Sequence, residues 1–151
     1  CILIEIIEDI LGINKVNDLI VVGYGKMGEM ITSNSKVMGK GFRIVGVFDN
    51  DPQKIDQEIP GNLKIQNVDE VEDFIKNSSN KVETAILSVV KGQAQTAAEK
   101  LVKNGIKAIL NMTTYKLELP KNVVVVNMDI SAKLQELNFW RINLEENGEE
   151  Q

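Results

Sequence analysis

Three glycines, at positions 23, 25 and 28, form the pattern in this chain that most clearly indicates chemistry. The apolar run Leu19-Ile20-Val21-Val22 leads directly into Gly23-Tyr24-Gly25-Lys26-Met27-Gly28, and a segment with helical spacing follows. In such a strand–turn–helix the first glycine permits a tight turn, the second lets the backbone approach a pyrophosphate, and the third lets the helix pack against the sheet. We therefore predict a dinucleotide-binding loop whose backbone N–H groups, from Tyr24 to Met27, hold a pyrophosphate. For Lys26 two roles stay open, a charge near the phosphates or a solvated lysine.

An acidic residue stands at the end of the next predicted strand. The run 42–48 ends in Asp49, which lies 21 residues beyond Gly28. This is close to the spacing of about 20 residues at which a carboxylate binds the adenosine ribose of a dinucleotide. A carboxylate there accepts hydrogen bonds from both ribose hydroxyls and repels a 2′-phosphate, so NAD is favoured over NADP. The alternative is that Asp49 only opens the turn Asp49-Asn50-Asp51-Pro52.

The elements that must position these residues alternate between strands and helices. Such alternation predicts an α/β fold, a doubly wound parallel sheet of the Rossmann type, with its ligand outside the carboxyl ends of the strands. The β-branched run 123–126 predicts a strand covered on both faces. The predicted strands span 19–22, 42–48, 63–65, 82–90, 106–110 and 123–126. The predicted helices span 2–11, 26–38, 69–76, 93–103 and 130–142, and 52–61 has room for one helical turn.

Composition excludes several classes of function. The chain has 151 residues and 43% hydrophobic content, which fits one globular domain, and it has no apolar run long enough to span a membrane. The absence of histidine excludes nucleophile–His dyads and His metal sites within the chain, and it counts against a self-contained dehydrogenase. A single cysteine, Cys1, excludes internal disulfides and cysteine-based zinc sites and suits the cytoplasm. A net charge of −5 opposes direct binding of nucleic acid by this chain.

Two motifs of unequal specificity are distributed over five segments of the chain. The five segments are Val22–Gly28, Phe42–Pro52, Ala85–Val89, Gly105–Thr113 and Val126–Asp129. The glycine pattern is generic, whereas Ile-Leu-Asn-x-Thr followed by Asn-x-Asp is far more specific. Together the segments resemble the C-terminal NAD(H)-binding domain of the Rex family of redox-sensing transcriptional repressors, and the match extends from the first helix to about Trp140.

The resemblance implies a homodimeric repressor that binds NADH and thereby loses its affinity for operator DNA. It implies a linker helix at 1–13 after a missing winged-helix domain, a Rossmann domain at 14–128, a C-terminal dimerisation helix at 129–144 and an acidic disordered tail at 145–151. Because the chain begins at Cys1 rather than methionine, we expect it to be a fragment. The final helix would be exchanged between subunits; packing against its own sheet is the alternative.

The resemblance also implies roles for residues after the later strands. Ser88 and Val89 would line the nicotinamide ribose, and Asn111, Met112 and Thr113 the nicotinamide. Asn111 has the alternative role of a turn residue that ends its strand. Asp129 would be an allosteric relay to the missing domain, an N-cap of the final helix, or both. The family has a tyrosine where this chain has Asn34.

Three functions stay open on the residues alone. The first is an NADH/NAD-sensing regulatory domain without chemistry, which is the reading that we favour. The second is the cofactor domain of an NAD-dependent oxidoreductase, for which lysines such as Lys91 would be the only general acids. The third is a CoA-binding module. We accordingly predict NAD(H) as cofactor, a homodimer, operator DNA bound only through another domain, no membrane, no metal and no enzymatic activity.

Overall fold

The computed structural model of the chain describes residues 2–10, 16–34 and 41–149. Short 3-10 helices, Val68–Glu70 and Lys91–Gln93, precede the third and fourth helices. The helices are α1 (Ile2–Ile10), α2 (Lys26–Ser33), α3 (Val71–Asn77), α4 (Ala94–Lys103) and α5 (Ile130–Glu149). The strands are β1 (Asn17–Val22), β2 (Phe42–Asp49), β3 (Glu58–Ile59), β4 (Leu63–Asn67), β5 (Thr84–Leu87), β6 (Ala108–Asn111) and β7 (Val124–Asn127).

The strands form a seven-stranded sheet in the order β3-β4-β2-β1-β5-β6-β7. Every pairing is parallel except that of β3 with β4. The chain winds outward from β1 through β2 to β4, then returns to β5 on the other side of β1. The order therefore reverses between β1 and β5, and a crevice opens at their carboxyl ends. The predicted α/β doubly wound fold is confirmed.

Alternate side chains of β1 build the cores on the two faces of the sheet. Ile20 and Val22 belong to one buried cluster with Leu87 of β5, with Ala98 of α4 and with other residues of α3 and α4. On the opposite face, Leu19 and Val21 pack with Ile31 of α2 and with Ile65 of β4. A central parallel strand is buried on both faces, which explains why β1 is continuously apolar from Leu19 to Val22.

Two element predictions differ from the structure on the β2 side. The helix predicted over 26–38 ends at Ser33, where Asn34 leaves helical geometry and donates from its backbone and its side chain to the carbonyl of Met30. Residues 35–38 of that prediction lie outside the described residues. The segment 52–61 holds a turn after Pro52, but it also contains β3, which was not predicted because its pairing with β4 is only two residues long.

The carboxyl-terminal elements depart furthest from the predictions. Val124 and Val126 of β7 are 62% and 57% exposed, so the strand predicted to be covered on both faces is an uncovered edge within this chain. The helix α5 continues to Glu149, supported by an ion pair of 3.0 Å between Arg141 and Glu145. The segment predicted to be a disordered tail is therefore helical over 145–149. Within 130–148, every side chain except that of Asn143 is exposed.

Candidate functional site

The glycine loop joins β1 to α2 at the point where the strand order reverses. Gly23 has a φ of +101°, and a Cβ there would collide with the carbonyl oxygen of Ser88 at the end of β5. A Cβ on Gly28 would collide with the carbonyl oxygen of Gly23. The first and third glycines are therefore needed for the fold itself, since they let β1, β5 and α2 approach one another.

Gly25 differs from the other two glycines because a Cβ there would meet no atom within 4 Å. Gly25 is the N-cap residue of α2, and no side chain caps this helix end. The N–H groups of the first helical turn, at Lys26 and Met27, consequently have no side-chain acceptor from the cap, and Gly25 itself lines the open cleft. This is the arrangement in which a phosphate binds to a helix N-terminus.

The carboxylate of Asp49 holds two backbone segments together. Its Oδ2 accepts a hydrogen bond of 2.7 Å from the N–H of Tyr24, and its Oδ1 accepts one of 2.9 Å from the N–H of Asp51. Both oxygens retain acceptor capacity for ribose hydroxyls. The turn interpretation and the ribose interpretation of Asp49 are therefore compatible. The N–H of Tyr24 is already paired, so the free amides for a pyrophosphate lie at the start of α2 rather than from Tyr24 onward.

The ammonium of Lys54 contacts the same loop. Its Nζ donates a hydrogen bond of 2.9 Å to the carbonyl oxygen of Tyr24. The peptide groups on both sides of Tyr24 are thus held by two side chains, one from the end of β2 and one from the turn that follows it. Lys26, in contrast, is exposed and does not line the cleft beside this loop.

A cleft of about 490 Å³ lies at the carboxyl ends of β1, β2 and β5. Its volume is within the range of about 300–1,000 Å³ typical of small-molecule sites. The sequence-predicted residues that line it are Gly23, Gly25, Asp49, Ser88 and Val89. The lining residues that were not predicted are Val22, Asn50, Asp51, Lys54, Val68, Val90, Gly92, Gln93, Thr96 and Ala97.

The unpredicted lining residues come mainly from two connections, the turn after β2 and the segment between β5 and α4. Both connections follow strands that flank or adjoin β1, so the rule that ligands lie beyond strand carboxyl ends could have indicated them. What the sequence does not reveal is which side chains of these connections turn toward the cleft.

Asn111 ends β6, is 1% exposed, and has no free hydrogen-bonding capacity. Its Nδ2 donates to the carbonyl of Tyr115 at 2.8 Å and to Oδ1 of Asn127 at 2.9 Å. Its Oδ1 accepts from the N–H and the hydroxyl of Thr113 at 3.0 and 2.6 Å. Two donors and two acceptors exhaust a carboxamide, so Asn111 stabilises the turn after β6 and does not offer an amide to a ligand.

The other residues predicted around the nicotinamide also lie outside the lining of the cleft. Thr113 is buried in the same turn, and its hydroxyl accepts from the N–H of Tyr115 at 3.3 Å. Met112 is half-buried against the core cluster that contains Ile86. The structure thus brings the glycine loop, Asp49 and Ser88–Val89 together, and it leaves the 111–113 segment one strand away.

Asp129 is the N-cap of α5. Its Oδ1 accepts hydrogen bonds from the N–H groups of Ser131 and Ala132, at 3.0 and 3.3 Å. These bonds satisfy two of the amides that a helix N-terminus leaves unpaired. The capping role of Asp129 is therefore visible in the geometry, and its carboxylate is exposed.

The described residues contain neither a candidate metal site nor a candidate membrane span. Over 2–10, 16–34 and 41–149, no group of three or more Cys, Asp or Glu side chains is placed to hold a metal ion. None of the helices in those ranges combines the length and the apolar character that are needed to cross a bilayer.

Comparisons with known proteins agree on one family. Residues 14–115 match the CoA binding domain family. The chain is 40% identical over 138 residues to the redox-sensing transcriptional repressor Rex of Caldicellulosiruptor saccharolyticus, an alignment that covers 91% of this chain and 62% of that protein. It is 40% identical over 137 residues to Rex 1 of Thermotoga maritima, with 91% and 64% covered. The chain thus spans about three fifths of the length of these relatives.

Solved structures show the same similarity. The crystal structure of RSP, a Rex-family repressor, superposes with a TM-score of 0.83 at 33% identity, covering 98% of this chain and 69% of RSP. RSP in complex with β-NADH gives a TM-score of 0.82, also at 33% identity, with 98% and 70% covered. RSP in complex with β-NAD⁺ and operator DNA gives 0.82 at 33% identity, with 98% and 66% covered.

Proposed function

The chain belongs to the Rex family of repressors, within the CoA binding domain family, and on that premise we propose that it is the NAD(H)-sensing domain of a redox-responsive transcriptional repressor. The proposal is for a regulatory ligand rather than a substrate. NADH and NAD⁺ would bind in the cleft at the carboxyl ends of β1, β2 and β5.

The observation that best supports this proposal is the conjunction, in one cleft, of three dinucleotide-binding features. Open space faces Gly25 at the uncapped start of α2, where a pyrophosphate fits. The carboxylate of Asp49 stands beside it with acceptor capacity left for a ribose diol. Ser88 and Val89 line the adjoining wall, where the second ribose would lie. The relative RSP has been solved with β-NADH and with β-NAD⁺, which are ligands of matching chemistry.

The side chains around the cleft support a sensor better than an enzyme. The titratable groups in its lining are Asp49, Asp51 and Lys54. Asp49 and Lys54 both hold the glycine loop, and the chain has no histidine to move a proton. Lys91, the general acid considered from the sequence, is exposed and is not among the lining residues. We propose that the bound cofactor changes a conformational equilibrium and undergoes no turnover.

The response to the cofactor is proposed to pass through a dimer. The helix α5 buries almost none of its side chains within its own chain. Leu137 is 65% exposed and Trp140 is 62% exposed, and a second subunit would cover this surface. Several apolar residues of α1 are exposed as well, including Ile2 and Leu3. Asp129, at the start of α5, would be the relay between cofactor and partner.

Operator DNA would be bound by a winged-helix domain outside these 151 residues. The net charge of −5 makes this chain a poor ligand for a phosphate backbone, and the Rex relatives are longer than the chain. Such a repressor would work in the cytoplasm, where the NADH pool and the chromosome of a bacterium are both present.

A titration distinguishes the sensor from the two alternatives. We expect the purified chain to bind NADH, measured by fluorescence, more tightly than NADPH or CoA, because the carboxylate of Asp49 repels the 2′-phosphate of NADPH and the 3′-phosphate of CoA. We expect no hydride turnover with alcohols or hydroxy acids. Preferential binding of CoA, which the name of the matched domain family makes the relevant competitor, would refute the proposal. Turnover would instead support an oxidoreductase.

A further inference from the structure

Two carboxamide side chains meet where the cleft opens to solvent. Asn50 directly follows Asp49 at the end of β2, and Gln93 precedes α4. Asn50 Nδ2 donates a hydrogen bond of 3.1 Å to Gln93 Oε1, although the two residues are 43 positions apart. Both side chains are exposed and both line the cleft, so this bond bridges two of its walls.

The position of this pair corresponds to one part of the proposed ligand. If Asp49 holds the adenosine ribose and the start of α2 holds the pyrophosphate, the base extends from that ribose away from the glycine loop. Asn50 is the neighbour of Asp49 on that side. The adjacent lining contains Val68 and Ala97, whose apolar side chains suit the faces of an aromatic ring.

The hydrogen bond within the pair leaves a defined set of free groups. Asn50 keeps its Oδ1 as an acceptor and Gln93 keeps its Nε2–H groups as donors, and in the described part of the chain neither atom has another hydrogen bond. The edge of adenine presents the N6 amino group as a donor beside the N1 acceptor. The edge of hypoxanthine presents the opposite order, a carbonyl acceptor beside an N1–H donor.

We propose that Asn50 and Gln93 together select adenine at this end of the cleft. The amide oxygen of Asn50 would accept from the adenine amino group, and the amide nitrogen of Gln93 would donate to N1. This inference rests on the proposed binding of NAD(H). It goes beyond that function by assigning base selectivity to two side chains that lie outside the glycine pattern and Asp49.

The test compares NADH with reduced nicotinamide hypoxanthine dinucleotide, which differs only at this edge of the base. We expect the wild-type chain to bind NADH roughly five- to tenfold more tightly, since one or two neutral hydrogen bonds are mismatched in the analogue. In Asn50→Ala and in Gln93→Ala, that ratio should fall, mainly through weaker NADH binding, because each variant lacks one of the two contacts. Gln53→Ala is the matched control, because Gln53 is an exposed amide of the same turn that does not line the cleft.

The possible outcomes separate this inference from the proposed function. Equal affinities of the wild-type chain for the two dinucleotides would overturn the inference while leaving NAD(H) binding intact. A ratio that both alanine variants preserve would also overturn it, as would variants that weaken both ligands equally, which is the result of a purely structural role. If the wild-type chain bound neither dinucleotide, the proposed function itself would fail.

Discussion

Alanine at Gly25 and alanine at Gly28 are expected to have opposite consequences, although both replace a glycine of the same loop. Gly25 has a φ of −85°, which alanine adopts without strain, and its Cβ would point into the open cleft. Gly25→Ala should therefore leave the free energy of unfolding unchanged or raise it by about 0.4–1 kcal/mol, because alanine reduces the entropy of the unfolded chain.

The same methyl group occupies the space in which the pyrophosphate would approach the backbone. Displacing the phosphate costs a charge-assisted hydrogen bond, worth about 1.5–3 kcal/mol. With about 1.4 kcal/mol for each factor of ten in the dissociation constant, we expect NADH affinity to fall roughly 10- to 100-fold. Fluorescence titration of NADH measures this loss.

Gly28→Ala should instead lower stability, because its Cβ collides with the backbone carbonyl of Gly23 rather than with a movable side chain. Overpacking of this kind costs about 1–3 kcal/mol. For a domain of this size, about 3 °C is lost for each kcal/mol, so the melting temperature without ligand should fall by roughly 3–9 °C. Thermal unfolding followed by circular dichroism gives this value.

Gly148→Ala is the control, since a Cβ there also meets nothing within 4 Å but lies in α5, away from the cleft. It should leave NADH affinity unchanged, and it should not lower the melting temperature, because alanine at an unhindered helical position is at least as favourable as glycine. The reasoning is refuted if Gly25→Ala binds NADH as the wild type does, or if Gly28→Ala is as stable as the wild type.

Three further substitutions test other parts of the molecule. Asp49→Ala should weaken NADH binding tenfold or more in the same titration, because it removes both the ribose acceptor and the hydrogen bond to Tyr24. Asp49→Asn should mainly reduce the ratio of NADH affinity to NADPH affinity. If that ratio were unchanged, Asp49 would not belong to the site. Asn111→Ala should lower the free energy of unfolding in urea by about 2–3 kcal/mol, since it leaves the buried hydrogen-bond partners of Asn111 unpaired. Asn127→Ala, at an exposed partner, should lower it by less than about 1 kcal/mol. Equal losses would contradict the central role of Asn111 in these hydrogen bonds. Trp140→Glu should convert the proposed dimer to a monomer, because it places a charge on the exposed apolar surface of α5. Analytical ultracentrifugation measures this change, and the circular dichroism spectrum should stay the same. A dimer that persists would contradict the proposed interface.

Patterns within a few residues of one another predict the centre of the molecule well. The apolar run before Gly23 is β1, the glycine spacing is the turn into α2, and Asp49 does end the neighbouring strand. These features depend on strand and helix periodicity and on the local conformation of glycine, and both are encoded in adjacent residues. The predicted fold class is confirmed for the same reason, since alternating strands and helices have few ways to pack.

The predicted site extends further than these patterns could support. Asn111 is predicted to lie beside a ligand, and in the structure its amide is hydrogen-bonded to Thr113, Tyr115 and Asn127. Asparagine offers the same four groups to a turn or to a ligand, and only the positions of its neighbours decide between them. The bridge from Asn50 to Gln93 could not be predicted from the sequence either, because its two ends are far apart along the chain.

The sequence by itself determined the strand–glycine–helix unit, the acid at the end of the neighbouring strand and the α/β class, because these follow from backbone sterics and from hydrophobic periodicity. Tertiary structure decided which groups remain available to a ligand or a partner. It pairs the N–H of Tyr24 with Asp49, exhausts the amide of Asn111, and leaves β7 and α5 uncovered. Whether a group is available to a ligand depends on whether residues far away in the sequence form hydrogen bonds with it or bury it. Only the assembled sheet determines which residues come close enough to do so.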